Sequence, residues 1–120
     1  MSKIEKFEDI QAWQKARSLA NDIFSKTNKS KFIKDFGLRD QIQRASVSIM
    51  ANIAEGFGNE THKEFLQFLN YSRRSLLEVQ SHLYVALDRK YITQKEFDYL
   101  YSKSMNVKKL ISGFIRYLKK

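Results

Sequence analysis

The chain of 120 residues has no cysteine and no proline, and it has only four glycines. Without cysteine it can form no disulfide framework and no catalytic thiolate, which suits the reduced cytoplasm. Without proline, long stretches lack the residue that most strongly interrupts helices. The length fits one domain over residues 1–120. These features together favour a single domain of long, uninterrupted helices.

Long apolar runs are missing as well. A helix that crosses a bilayer needs about 20 consecutive apolar residues, and no run in this chain approaches that length. The opening residues, MSKIEKFEDI, have no apolar segment of the kind found in secretory signals. We therefore expect a soluble cytoplasmic protein without a membrane partner.

Acidic residues are scarce in the second half of the chain. The formal net charge is +9, from 22 Lys and Arg against 13 Asp and Glu, and no acid follows Asp98. A positive surface attracts polyanions by counterion release, and this sets affinity rather than sequence choice. The pattern therefore favours binding of RNA or DNA. The alternative is a solvated exterior whose charge serves solubility.

Apolar residues recur at helical spacing in four segments. The predicted helices span residues 9–27, 36–57, 61–89 and 93–118. The predicted core stripe of the first helix is Ile10, Trp13, Ala16, Ala20, Ile23 and Phe24. That of the third is Phe65, Leu69, Ser72, Leu76, Val79, Leu83 and Ala86, and that of the fourth is Phe97, Leu100, Ser104, Val107, Ile111, Phe114 and Leu118. Short connections make neighbouring helices antiparallel, so the predicted fold is all-α, an antiparallel up-down-up-down four-helix bundle.

Local signals predict where these helices begin. The first is expected to begin at Glu8 or Asp9, where an acid complements the helix dipole. The sequences Thr61-His62-Lys63-Glu64 and Thr93-Gln94-Lys95-Glu96 both have the form of a capping box, in which Thr and Glu side chains satisfy each other's backbone amides. They predict the starts of the third and fourth helices.

The connector before the second helix and the end of that helix carry further signals. Phe32, Ile33 and Phe36 are expected to hold the basic connector NKSKFIKDF against the bundle. Gly56 or Gly58 is expected to end the second helix with a left-handed carboxyl cap.

The second helix contains an unusual stretch from Ala45 to Ala54 that has no charged residue. A helix that lacks a charged face is expected to be buried on all sides. In a chain this short, the simplest way to bury all sides of this helix is to pack one side against the protein's own bundle and the other against a second subunit. This stretch is therefore predicted to belong to both a core and an interface.

Polar residues in and around this stretch need partners. A carboxylate at Glu55, if buried without a partner, would cost several kcal/mol. The structural interpretation is that Glu55 accepts bonds from the next loop or from the third helix, and that Asn52 bridges helices. The functional alternative is a ligand or proton-transfer site. The predicted structural and interface residues are Ser48, Asn52, Glu55 and Glu78.

Catalytic and metal chemistry find little support. Glu78 and His82 lie one helical turn apart, but they supply two ligands where a metal site needs three or four. Neither histidine has an evident hydroxyl and carboxylate partner for nucleophilic catalysis. Gly56-Phe57-Gly58 lies between two helices, which does not match a phosphate-binding loop. We therefore predict no catalytic residues, no metal and no cofactor.

Adjacent basic residues occur on the third helix, at Arg73 and Arg74, and on the fourth, at Lys108 and Lys109. Adjacent residues point about 100° apart around a helix, so neither pair forms one tight clamp. Both can contribute to a broad basic surface. The predicted nucleic-acid-binding residues are Arg39, Arg44, Arg73, Arg74, Lys108, Lys109 and Arg116. The alternative is that they pair with acids such as Glu78, Asp88 and Asp98.

Several short sequences resemble one protein family. They are Trp13-Gln14-Lys15-Ala16, Gly37-Leu38, Gln41-Ile42-Gln43-Arg44-Ala45, Ser48-Ile49-Met50-Ala51-Asn52-Ile53-Ala54-Glu55-Gly56 and Ser75-Leu76-Leu77-Glu78. They resemble the 23S ribosomal RNA intervening-sequence proteins, which are small four-helix bundles, over about Phe7 to Leu118. The sequence departs from the family pattern at Arg74, where a small residue is frequent, and in the absence of proline from the connector.

The resemblance implies a homo-oligomeric ring, commonly a homopentamer. Family members are encoded within intervening sequences of ribosomal RNA genes or as free-standing genes. A related branch, the accessory protein of diversity-generating retroelements, binds nucleic acid and a reverse transcriptase. We therefore expect a non-enzymatic, ring-forming protein that binds RNA or DNA. The alternative is an interaction module for a protein partner, such as a reverse transcriptase, without a nucleic-acid role.

Overall fold

A computed structural model describes residues 4–120, and within them the chain forms four α-helices. The helices are α1 (Gln11–Thr27), α2 (Phe36–Phe57), α3 (His62–Asp88) and α4 (Gln94–Leu118). Two short 3₁₀ turns, Phe7–Asp9 and Phe32–Lys34, precede α1 and α2. The predicted all-α fold with four helices is confirmed. The described part of the chain contains no strand.

The helices pack as a four-helix bundle with the extents 44 × 23 × 19 Å. Each helix contacts its neighbour along the chain, and α1 also contacts α4. The arrangement is therefore a closed square in which α1 lies diagonally opposite α3, and α2 opposite α4. Short connections between long helices produce this antiparallel arrangement.

The first helix begins later than the sequence predicts. Glu8 and Asp9 belong to the 3₁₀ turn, and α1 begins at Gln11. A carboxylate oxygen of Asp9 accepts bonds from the backbone amides of Glu5 and Lys6, at 3.3 and 3.4 Å. The acid therefore caps the preceding turn instead of opening the α-helix.

The core follows the predicted stripes closely in the long helices. All seven predicted core residues of α3 are buried. In α4 the stripe drifts near its end, so that Ile115 is buried and Phe114 and Leu118 are half-buried. In α1 the stripe includes Leu19, which is fully buried, whereas Phe24 is 37% exposed. The buried face near the helix ends therefore departs from the predicted stripe.

Only one of the three apolar connector residues is buried. Phe32 is 1% exposed and its ring lies 5.3 Å from that of Tyr91. Ile33 and Phe36 are 37% and 64% exposed, so the prediction that they hold the connector was wrong. The Phe36 ring instead lies beneath the guanidinium group of Arg39, at 4.8 Å.

The end of α2 does not adopt the predicted left-handed cap. Gly58 has φ −74°, and no described glycine has a positive φ. The Gly58 amide instead bonds to the carbonyls of Ala54 and Glu55, both at 3.2 Å. The Asn59 side chain also donates to the Glu55 carbonyl, at 2.8 Å. These bonds satisfy free carbonyl groups in the last turn of α2, so no residue there has to adopt a left-handed conformation.

Gly56 is required by close packing. A Cβ atom at this position would lie 2.7 Å from Cβ of Phe68 and 2.8 Å from Cδ1 of Phe65, both on α3. Further along the same contact, the buried hydroxyl of Ser72 donates to the backbone carbonyl of Ile49 at 2.6 Å. Small residues thus let α2 and α3 approach closely near the end of α2.

The two predicted capping boxes differ. Thr93 and Glu96 form the complete box, since each side chain accepts a bond from the other residue's backbone amide. Thr61 accepts a bond from the Glu64 amide, but its hydroxyl also donates to the Glu64 carboxylate. That carboxylate is therefore held by the Thr61 side chain, and the first box is only half formed.

Polar side chains join α1 to α4. Lys26 pairs with Glu96 at 2.9 Å, and Lys103 pairs with Asp22. The Lys103 ammonium group also donates to the Ser18 hydroxyl at 2.7 Å, and the Tyr99 hydroxyl donates to Asp22 at 3.0 Å. These contacts make up a polar seam between residues far apart in the sequence.

The uncharged stretch of α2 is not buried on all sides within the protomer. Ala45, Ile49 and Ile53 face the core, whereas Val47 is 42% exposed and Ala51 is also exposed. The prediction of complete burial is therefore wrong for the single chain. The prediction that another subunit covers the outward side stays a prediction.

Replacing Gly56 tests the close packing of α2 on α3. Gly56→Ala is expected to lower the free energy of unfolding by about 1–3 kcal/mol, because the added Cβ meets two phenylalanine side chains. Urea denaturation followed by circular dichroism measures the change. Gly113→Ala is the matched control, since within the described part of the chain its Cβ would meet only the flexible end of Arg116, at 3.7 Å. Helix propensity then favours that variant by up to about 1 kcal/mol. Equal stability of both variants would contradict the packing argument.

The Asp35 carboxylate predicts a pH dependence of stability. It accepts a bond from the Leu38 backbone amide at 3.1 Å and one from the Tyr91 hydroxyl at 2.9 Å. These bonds lower the pKa of Asp35 below its ordinary value. Its stabilising contribution is therefore complete above about pH 4, the unfolded pKa, and is lost as the pH falls below it.

Asp35→Asn separates the charge from the helix cap. Asparagine still caps a helix, so the variant is expected to lose less stability than the wild type between pH 6 and pH 3. Urea midpoints at both pH values measure this difference. Parallel pH curves for the two proteins would show that Asp35 does not contribute.

Candidate functional site

The seven predicted nucleic-acid-binding residues do not lie on one face of the protomer. Arg39 and Arg44 are on α2, Arg73 and Arg74 are on α3, and the other three are on α4. Because α2 and α4 are diagonal in the bundle, their outward surfaces face different directions. One protomer thus presents several basic areas.

Arg73 and Lys108 share the face formed by α3 and α4. Gln80 on α3 contacts Ser104 and Met105 on α4, which fixes the register of the two helices. Arg73 lies seven residues before Gln80, and Lys108 lies four residues after Ser104 in the antiparallel helix. At 1.5 Å per residue the two positions differ by about one helical turn along the axis. Both side chains are partly exposed.

Most of the seven charges are not neutralised by ion pairs. Within residues 4–120, Arg39 is the one member of the set in an ion pair, with Asp40 at 3.0 Å. Its guanidinium group also donates to the Ile33 carbonyl at 3.1 Å. Arg39 is therefore committed to the start of α2 and is the least available of the set.

The two adjacent arginines of α3 have different surroundings. Arg73 is partly buried and donates to the Asn70 side chain at 2.8 Å. Arg74 is exposed and lies 6.0 Å from the Tyr71 ring centroid. The difference follows from their angular separation on the helix, as the sequence predicts.

The acids named as alternative partners do not neutralise these residues. Glu78 lies 4.0 Å from His82, and Asp98 accepts a bond from the Gln94 side chain at 2.8 Å. Asp88 forms no ion pair within the described part of the chain. The Nε2 atom of His82 is buried and has no hydrogen-bond partner among the described residues. The basic surface therefore retains its charge.

Ser48, Asn52 and Ser75 form a chain of hydrogen bonds between α2 and α3. The Asn52 amide donates to the Ser48 carbonyl and hydroxyl, at 2.9 and 3.0 Å. The Ser75 hydroxyl donates to the Ser48 hydroxyl at 2.9 Å. Asn52 thus reaches α3 only through Ser48, and the prediction that Asn52 itself bridges the helices is wrong.

Glu55 is not the buried carboxylate that the sequence suggests. Its side chain is exposed, so no desolvation cost has to be offset. Its backbone carbonyl, and not its carboxylate, accepts the bonds from the following loop. The apolar character of the neighbouring residues indicated burial, but Glu55 lies on the outward side of the helix.

Two shallow grooves flank the outward side of α2. The larger has a volume of about 630 Å³ and reaches from Asp40 and Phe24 to Glu55. The second has a volume of about 430 Å³ and extends to Ser75 and Glu78 on α3. Both grooves are lined by Arg44 and Ser48. Each of the four predicted structural and interface residues, Ser48, Asn52, Glu55 and Glu78, therefore lines at least one of these grooves.

The described side chains include no group of three or more His, Asp or Glu that could hold a metal ion. None of the described helices combines the length and the apolar character needed to cross a bilayer.

The patterns in the sequence do not predict the cavity between the start of α1 and the end of α4. An apolar cavity there includes Gln11, Lys109 and Tyr117 in its lining. The up-down-up-down order places these helix ends together, and Tyr117 interrupts a basic segment. Those two signals together could have indicated the cavity.

The fold and surface define a small, basic, all-helical bundle protein. A family model described as 23S rRNA-intervening sequence protein matches residues 8–113. The chain therefore belongs to this family.

A solved structure has the same fold. It is the crystal structure, at 1.70 Å resolution, of a protein with unknown function from the S23 ribosomal protein family of Bacteroides thetaiotaomicron. The two chains are 24% identical, the match covers 88% of this chain and 95% of the other, and the TM-score is 0.81. No curated protein matches the chain.

Proposed function

We propose that this protein is a non-enzymatic, homo-oligomeric bundle that binds RNA or DNA through phosphate contacts. The observation that supports the proposal is the set of basic side chains on α3 and α4 that form no ion pair with any residue of 4–120. Phosphate contacts of Lys and Arg release counterions and attract any sequence. The name of the family, which refers to ribosomal RNA intervening sequences, is compatible with a nucleic-acid role.

Arg73 and Lys108 are the centre of the proposed contact surface, because they lie on one face within about one helical turn. Arg74, Lys109 and Arg116 extend the surface around α3 and α4. Arg44 supplies a separate basic position on α2. In an oligomer these areas from several protomers would combine into a larger surface.

A double charge reversal tests the binding surface. Arg73→Glu with Lys108→Glu is expected to weaken binding of every RNA and DNA sequence alike and to lower the salt slope by about 1 for each lost phosphate contact. Fluorescence anisotropy of labelled RNA and DNA over a range of salt concentrations measures both effects.

A matched control has the same change in net charge elsewhere. Lys63→Glu with Lys95→Glu alters exposed positions in the first turns of α3 and α4. An acid is favourable near a helix amino terminus, so this variant should fold. Equal loss of affinity in both double variants, or an affinity that does not depend on salt, would contradict the proposed surface.

Assembly through the outward side of α2 is the second part of the proposal. Val47 and Ala51 expose small apolar side chains there, between Arg44 and Glu55. Small side chains allow another helix to approach closely.

The second candidate function follows from this same side: an interaction module whose partner is a protein, with the charge serving solubility. A co-purifying protein that survives nuclease treatment would favour that function.

A large charged side chain at Ala51 tests the assembly. Wild-type protein is expected to form a homo-oligomer, and the family resemblance implies a pentamer. Ala51→Arg should shift the mass measured by light scattering toward the monomer, because the arginine would be buried without a partner. Ser102→Arg on the exposed side of α4 is the control and should leave the mass unchanged. A monomeric wild type would contradict the assembly.

A further inference from the structure

An apolar cavity of about 310 Å³ lies between the beginning of α1 and the end of α4. Phe114 and Tyr117 provide aromatic walls, and Ile4 and Leu110 provide aliphatic ones. The volume is at the lower end of the range for small-molecule sites, about 300–1,000 Å³. A cavity of this size accepts a flat ring system about as large as a nucleobase.

Two polar side chains in the lining are placed for recognition. Gln11, in the first turn of α1, has an amide that both donates and accepts hydrogen bonds. Lys109 lines the cavity from α4 and is itself exposed. The site thus combines aromatic rings, one amide and one cation.

Gly113 keeps one wall of the cavity open. Among residues 4–120, and leaving aside the backbone of its own helix, a Cβ atom there would have only the Nη2 atom of Arg116 within 4 Å, at 3.7 Å. The helix therefore offers bare backbone to the cavity, and a large side chain at this position would occupy it. The position gives direct experimental control over the cavity.

The charge around the cavity favours an anionic ligand. Lys109 and Arg116 lie on one side of α4, seven residues and so two turns apart, and Lys119 and Lys120 follow at the helix end. None of these four cations forms an ion pair within residues 4–120. The acids that precede α1, Glu5, Glu8 and Asp9, do not line the cavity, and the Asp9 carboxylate accepts bonds from backbone amides.

We propose that this cavity receives one unpaired base of a single-stranded nucleic acid. The base would lie against Tyr117 and Phe114, its edge would bond to the Gln11 amide, and the flanking phosphates would lie near Lys109 and Arg116. A base within a duplex is stacked and paired, so only single strands could use this site. The inference rests on the proposed function and adds a preference for single strands to it.

The test compares two oligonucleotides that have the same phosphates. One is a single-stranded oligothymidylate of about 12 nucleotides, within the range of single-strand site sizes. The other has the same length and backbone but lacks bases. The wild type is expected to bind the first about five- to 150-fold more tightly, the factor that one stacked base contributes. Fluorescence anisotropy measures both affinities at one salt concentration.

Gly113→Leu should abolish this difference and leave the affinity for the abasic strand nearly unchanged, because the leucine occupies the cavity, removes no charge and displaces only the flexible end of Arg116. Leucine is a better helix former than glycine, so the variant should fold. Ser102→Leu adds the same side chain to the exposed side of α4 and should retain the difference. Tyr117→Ala, which removes an aromatic wall, should reduce the difference as well.

The outcomes separate this inference from the proposed function. Equal binding of the two strands by the wild type would overturn base capture and leave phosphate binding intact. Binding of a duplex as tightly as of the single strand would also overturn base capture. If neither strand binds even at low salt, both proposals fail. Retention of the full difference in Gly113→Leu would place the base elsewhere and overturn the assignment to this cavity.

Discussion

The structure depends on the close approach of α2 and α3. At Gly56 there is no room for a Cβ atom, and at Ser72 a side-chain hydroxyl reaches the backbone carbonyl of the facing helix. This contact fixes the separation and the register of the pair. The hydrogen-bonded chain through Ser48 and Ser75 lies on the same contact, and the grooves beside α2 are positioned by it. The packing of the buried side of α2 on α3 therefore determines the position of its exposed side and of the grooves beside it.

The fold could be read largely from helical periodicity. The seam of α3 repeats at intervals of four and three residues, and every predicted member is buried. The capping box at Thr93 could be predicted equally well, because its hydrogen bonds join residues only three positions apart. Periodicity describes an average helix, and so it failed at the ends of the helices. There Phe114 and Leu118 pack against the edge of the core and are only half-buried, and Asp9 caps a 3₁₀ turn.

The candidate site was harder to predict because its geometry depends on contacts between helices. An uncharged stretch indicates burial, yet it does not say whether the cover comes from the same chain or from another. Glu55 and Val47 illustrate this, since both are exposed in the protomer. Arg39 differs from the other basic residues because its guanidinium group donates to the carbonyl of Ile33, before α2. Helical spacing does not predict such a contact. The apolar cavity arises from the meeting of two distant segments, so composition alone could not reveal it.

The polar seam between α1 and α4 has a consequence for folding. Pairs such as α2 with α3 join residues near in sequence, whereas Asp22 and Lys103 are separated by 81 positions. Closing such a long loop costs more entropy than closing a hairpin of adjacent helices, which favours late formation of this seam. Its contacts include two ion pairs, and ion pairs near the surface weaken as ionic strength rises. As the salt concentration rises, the backbone amides of α1 and α4 should therefore be the first to lose their protection from hydrogen exchange. The bundle would then open between α1 and α4, while α2 and α3 stay in contact.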